Sequence, residues 1–176
     1  RDTIKEIGFD NEKTDIDYRT CKVHINITKQ SPDIAMGVDI GGAGDQGIMF
    51  GFACDETPNY MPYAIEMAHR LSKKLTEVRK SKELEYLRPD GKTQVTVQYI
   101  NGVPFRIENI LISSQYEEST DIIKMKKEIL KIIGELFREL LIQRKIYKKN
   151  ILIKTLKFIL ILLVNSLLVD LWVILV

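Results

Sequence analysis

Residues 93–113 read TQVTVQYINGVPFRIENILIS, and this stretch decides the fold. Residues 93–99 alternate, with Val95 and Val97 on one side, the period of a half-buried strand. Residues 103–113 are rich in Ile and Leu and predict a second strand, and Asn101-Gly102 between the two is a strong hairpin signal. Just upstream, Arg88-Pro89-Asp90-Gly91 predicts a turn that delivers Lys92 at the start of the first strand.

Helical spacing flanks this hairpin on both sides. Over residues 62–80 the apolar positions Ala64, Ile65, Ala68, Leu71, Leu75 and Val78 recur on one face, and Pro62 suits a first helical turn. After the second strand, Ser119, Thr120 or Asp121 can cap a helix through Ile122, Ile123, Met125, Ile129, Ile132 and Ile133. An earlier segment, residues 21–28 (CKVHINIT), alternates Val23, Ile25 and Ile27 against Lys22, His24 and Asn26 and predicts another half-buried strand. The expected fold class is α+β, an antiparallel sheet backed by helices.

Charge is distributed unevenly along the 176 residues. Residues 1–120 hold 15 Lys and Arg against 19 Asp and Glu, whereas residues 121–157 hold 11 against 4. A nucleic-acid binder spreads basic charge over a folded face, so a surplus confined to one late stretch argues against a nucleic-acid partner. The two cysteines, Cys21 and Cys54, form no CxxC and no Cys/His cluster, which signals neither a zinc site nor a disulfide framework and makes a reducing cytosol the expected compartment. The charged opening RDTIKEIGFDNEK carries neither an initiator Met nor an apolar leader, and the chain is expected to begin mid-protein.

Residues 30–47, QSPDIAMGVDIGGAGDQG, carry glycines, a proline and polar residues with few bulky apolar ones. They read as a long loop, and such loops commonly serve as lids or ligand clamps. Within it, Gly42, Gly44 and Gly47 surround Asp45-Gln46, which permits close backbone approach beside a carboxylate and an amide. The pattern is neither a phosphate loop ending in Gly-Lys-Ser/Thr nor a GxGxxG fingerprint, so alone it reads as a glycine-rich turn rather than as a site. Lys92 likewise reads as an exposed strand lysine or as a partner for a polyphosphate.

Taken in order, KQSPDIAMGVD, GAGDQGIMFGFACDET, MPYAIEMAHRL, LTEVRK, LRPDGKTQVTVQY and ILISSQYEE closely resemble the S-adenosylmethionine synthetases, from about the first residue to about Glu118. The resemblance implies an enzyme that joins ATP and methionine: the methionine sulfur attacks the ribose 5′ carbon, and the departing triphosphate is cleaved to pyrophosphate and phosphate. By resemblance, Asp90, Gly91 and Lys92 contact ATP, Gln30 contacts methionine, and Asp45 stands at the active-site edge, with Lys92 and Asp45 the expected catalytic residues. Ser31, Pro32, Asp33, Ile34, Gly37 and Asp39 belong to the resembling mobile loop, although only Ile40 and Gly41 separate GVD from GAGDQG where relatives carry several more residues. Mg²⁺ and K⁺, a homodimer or tetramer, and a cytoplasmic location are implied for the complete enzyme. No metal ligands are expected in this chain.

The resemblance also implies missing parts: an earlier His-Pro-Asp motif, a later glycine-rich segment and a third domain. The expected division is residues 1–33 as the end of the first domain, 34–44 as the active-site loop, 45–135 as the central domain and 136–176 as an aberrant tail. Residues 158–176, FILILLVNSLLVDLWVILV, are long and apolar enough to suggest a membrane span, but Asn165, Ser166 and Asp170 interrupt the run. Codons for the family's usual continuation, read one base out of register, can give this apolar string, so a frameshift is the expected origin of the tail. The chain alone is then an inactive synthetase fragment, the alternative being a membrane-anchored, non-catalytic binding protein with a synthetase-like head.

Overall fold

The hairpin forms where the sequence places it. In the computed structural model, which describes residues 1–10, 16–44, 47–142, 157–164 and 171–175, with side chains described no further than Phe137, β1 (Leu87–Ile100) pairs antiparallel with β2 (Val103–Tyr116). Asn101 and Gly102 turn the chain with φ of 51° and 73°. Positive φ at both positions is the backbone of a primed two-residue turn, whose twist matches that of the strands.

Two helices cover this ribbon. The first spans Tyr63–Lys80 and the other Ile122–Ile142; with the short helices Asp2–Ile7 and Pro32–Val38 ahead of them, they are α3 and α4, after α1 and α2. From α3 come Met67, Leu71 and Val78, from the sheet Ile107, Ile110 and Ile112, and from α4 Met125 and Ile129, each 2% exposed or less. Every Leu, Ile or Met so buried contributes about 1.5–3 kcal/mol relative to exposure. The buried stripe of α3 differs from the expected one by a rotation, since Met67 lies inside while Ile65 is 40% exposed.

Of the three residues able to cap α4, Asp121 does so: its Oδ1 accepts from the backbone N–H groups of Ile123 (2.9 Å) and Lys124 (3.1 Å). Two orphan amides of the first turn are thereby satisfied. α4 then carries the chain across to β3 (Lys157–Val164), which runs parallel to β2, and β4 (Leu171–Leu175) returns antiparallel to β3. Beyond the hairpin the sheet is therefore mixed, in the order β1-β2-β3-β4. A parallel pair needs a crossover of a dozen or more residues, and the α4 segment supplies it. The apolar stretch that suggested a membrane span contributes to these strands, and no helix among the described residues is long and apolar enough to cross a membrane.

The chain divides into two compact units, Arg1–Thr20 with Ala53–Val176, and Cys21–Phe52. The second holds the largest departure from expectation. Residues 21–28 form no strand, and Val23, Ile25 and Ile27 are 54%, 79% and 86% exposed. Alternation yields a strand only where a neighbour takes up the ladder hydrogen bonds, and no strand among the described residues of this unit offers one.

Candidate functional site

The expected nucleotide-contacting residues Asp90, Gly91 and Lys92 stand consecutively on β1, all exposed. They do not follow a turn. Between the pairs Leu87↔Tyr116 and Gly91↔Ser114, β1 advances four residues while β2 advances two, so Arg88, Pro89 and Asp90 form a bulge inside the strand. Pro89 has no N–H to offer a ladder, which confines it to such a position. The bulge corrects the expected turn, and Gly91 resumes the pairing that a turn would have ended.

Two ties hold this segment, one on each side of Lys92. The Arg88 guanidinium pairs with the Glu117 carboxylate, and the Glu117 N–H donates to the Tyr86 carbonyl at 2.9 Å. On the other side the Thr93 hydroxyl donates to the Ala68 carbonyl of α3 at 2.8 Å. A charged side chain between two such anchors keeps a fixed base while its ammonium stays in solvent. At the far end of β1 the Glu56 carboxylate accepts from the Tyr63 N–H and from the Tyr99 hydroxyl, both at 2.7 Å, so the start of α3 is fixed to the strand as well. Burial first, then the bond to Glu56, pushes the Tyr99 phenol above its ordinary range, and Tyr86 is raised by burial and by its 2.7 Å bond to Glu128.

In the second unit, the expected loop contains a helix. α2 begins at Pro32 with Ser31 at the N-cap, and Asp39 follows its last residue, donating its N–H to the Ala35 carbonyl at 2.8 Å. Proline with its fixed φ favours a first helical turn, which loop composition obscures. Gln30 is exposed just ahead of this helix, and the loop residues Ser31, Asp33, Ile34, Gly37 and Asp39 are all on it or flank it. Past the helix the Gly42 N–H donates to the Gly37 carbonyl at 2.9 Å, and a Cβ at Gly42 would come within 2.5 Å of that oxygen. Only glycine permits this return of the chain onto α2. Asp45 lies outside the described residues.

Sequence reasoning missed Arg88, Glu117 and Thr93 as the fixings of Lys92. All three sit in the quoted motifs LRPDGKTQVT and ILISSQYEE, but which of their residues meet is legible only once the strand register and the packing of α3 are known. Among the described residues no group of three His, Cys, Asp or Glu could hold a metal ion. Among the described residues there is accordingly no such carboxylate cluster for the Mg²⁺ that the resemblance implies.

Comparison with known proteins defines the class of this α+β chain. The sequence model of the S-adenosylmethionine synthetase central domain matches residues 40–157. The chain is 57% identical over 131 residues to the S-adenosylmethionine synthase of Oleidesulfovibrio alaskensis, covering 70% of this chain and 34% of that protein. It is 53% identical over 137 residues to that of Desulfosudis oleivorans (74% and 35%) and 52% identical over 143 residues to that of Clostridium botulinum (73% and 37%). The chain belongs to the S-adenosylmethionine synthetase family. It spans about a third of the length of these relatives.

Proposed function

We propose that this chain is the nucleotide-contacting central part of a methionine adenosyltransferase, an enzyme that forms S-adenosylmethionine from ATP and methionine. The observation that carries this reading is the fixed presentation of Asp90, Gly91 and Lys92 on β1, between the Arg88–Glu117 pair and the Thr93 hydroxyl. The reaction expels a triphosphate, so stabilisation must reach the charge that develops on the leaving oxygen. Lys92 supplies a cation whose three donors can meet several phosphate oxygens, and the ties on either side spare it part of the cost of ordering. Gln30 offers an amide, donor and acceptor together, suited to the amino and carboxylate groups of methionine. Asp45 is proposed at the active-site edge of the complete enzyme.

Mg²⁺ and K⁺ belong to the complete enzyme in this reading, with ligands beyond those described, as do a homodimeric or tetrameric state and a cytoplasmic location. The proposed division of the chain stays that of its sequence, with residues 136–176 as a tail of altered reading frame; the nucleotide sequence tests it, because a one-base shift must restore the family's continuation. Lacking the other charged groups of the site, the chain alone is expected to bind nucleotide weakly and to form no product. Purified chain incubated with ATP and methionine checks both statements. Retention of ATP, lost in Lys92→Ala, supports the reading; S-adenosylmethionine formed by the chain alone, or binding indifferent to Lys92, overturns it.

A further inference from the structure

Beside the Lys92 segment lies a cavity of about 710 Å³, bounded by the end of α3, the beginning of β1 and the turn after α1. Five cationic side chains line it, Lys5, Arg79, Lys80, Lys82 and Arg88; neither Asp90 nor Lys92 does. Two of the five are unusual. The Arg88 side chain is only 10% exposed, and while its terminal nitrogen pairs with Glu117, its Nε–H is buried with no acceptor among the described residues. A buried guanidinium donor left without an acceptor is costly, so a small shift of Arg88 that brings its Nε–H to an acceptor bound in the cavity would be favourable. The Arg79 guanidinium reaches across to the turn after α1, where a Cβ at Gly8 would lie 2.5 Å from Nη1. Gly8 also has a φ of 110°, so glycine at this position both makes the turn and leaves room for the arginine. Burial pushes the Arg79 guanidinium below its ordinary value, with Asp10 opposing that shift.

We propose that this cavity binds a phosphoryl oxyanion, held between Arg79 and Arg88, at a site separate from the Lys92 segment. Four carboxylates share the lining, and they set the choice of ligand. Glu117 already occupies the end of the Arg88 fork, and Asp10 lies in the field of Arg79. A second carboxylate would duplicate Glu117, whereas the tetrahedral oxygens of a phosphoryl group can accept from two guanidinium groups on different elements at once. The remaining Lys5, Lys80 and Lys82 outnumber Glu6 and Glu85, which leaves the cavity one positive charge in excess. Its volume exceeds that of one phosphoryl group and falls in the range of about 300–1,000 Å³ usual for small-molecule sites, so a phosphorylated molecule fits as well as the free anion.

The inference does not depend on the nucleotide reading, and the test separates them. Titration of the full 176-residue chain with inorganic phosphate and with pyrophosphate, followed by ³¹P line broadening at constant ionic strength set with chloride, measures the site directly. In the Lys92→Ala background, which removes anion binding at the nucleotide segment, binding is expected to persist, and Arg79→Ala to weaken it about tenfold or more, the loss of one charge-assisted contact. Should Arg79→Ala fail to fold, the exposed Lys5→Ala and Lys82→Ala are each expected to weaken binding by a smaller factor through the field alone. Tighter binding of pyrophosphate than phosphate places a longer anion in the cavity, and equal binding a single phosphoryl group; both support the site. Absence of binding by either probe overturns the proposal, as does binding abolished by Lys92→Ala but untouched by the cavity variants.

Discussion

The Thr93 hydroxyl donates to the Ala68 carbonyl at 2.8 Å, a bond from the strand residue next to Lys92 into the middle of α3. The carbonyl belongs to a helix, so it keeps a helical partner when the hydroxyl is removed, and the loss falls on the tie between strand and helix. Thr93→Val, which preserves shape and β-branching, is therefore expected to cost about 0.5–1.5 kcal/mol. Thr93→Ser is expected to restore most of it. Urea unfolding of the three proteins checks this, and equal midpoints for Val and Thr would remove the tie from the account of Lys92.

Core substitutions should separate the two kinds of apolar residue that α4 and β2 carry. Ile110 is 0% exposed in β2, whereas Ile123 on α4 is 69% exposed. Ile110→Ala is expected to destabilise by about 2–5 kcal/mol through lost burial and the cavity left behind, and Ile123→Ala by no more than about 0.5 kcal/mol. Thermal denaturation followed by circular dichroism measures both, and a cost for Ile123→Ala equal to that of Ile110→Ala contradicts this packing.

The same contrast explains how far the sequence could be read. Val95 and the hairpin dipeptide Asn101-Gly102 announce themselves because period-two burial and positive φ are local demands, met by residue type alone. The helices α3 and α4 were legible for the same reason, through spacing. What stayed hidden depends on partners. Residues 21–28 alternate like a strand yet find no ladder among the described residues, and Pro89 looks like a turn residue yet marks a bulge, because pairing resumes at Gly91 opposite Ser114. The positions of Asp90, Gly91 and Lys92 in sequence came from motif resemblance. That Arg88 and Glu117, 29 residues apart, brace them follows only from strand register.

Asp121 caps α4 through bonds of 2.9 and 3.1 Å to the first-turn amides. Asp121→Ala removes the acceptor and its favourable charge at the positive end of the helix, with an expected cost of about 1 kcal/mol. Asp121→Asn keeps the acceptor and is expected to retain most of the stability. If the alanine variant matches the parent in chemical denaturation, Ser119 or Thr120 has taken over the cap.

Stability should fall in alkali for a reason located at two tyrosines. The Tyr99 and Tyr86 phenols are held above their ordinary range in the folded chain, by burial first and then by Glu56 and Glu128. A group whose folded pKa is raised binds its proton more tightly when folded, so its contribution is fully present below the unfolded pKa of about 10 and is lost as pH rises above it. The unfolding midpoint is thus expected to decline above pH of about 10, and the double variant Tyr86→Phe, Tyr99→Phe to show a shallower decline. Phenolate absorbance offers an independent check, since both groups should ionise later than an exposed tyrosine.

The Arg88–Glu117 pair joins an almost fully buried guanidinium to a carboxylate that is 28% exposed. Removing the carboxylate charge leaves the cation buried without its counterion, and Glu117→Gln is expected to cost about 1–3 kcal/mol. Replacing both partners by apolar residues of similar size, Arg88→Met with Glu117→Leu, removes the stranded charge along with the attraction, so the double variant is expected to lose less than the two single losses combined. A double-mutant cycle in urea measures that difference. The same cycle read by ATP retention locates the function of the pair: if it braces Lys92, affinity falls with the double variant even where stability is recovered, because the apolar replacement restores packing but not the bond that fixes the bulge. Unchanged ATP retention in a stable double variant would mean that Lys92 keeps its place through Thr93 alone.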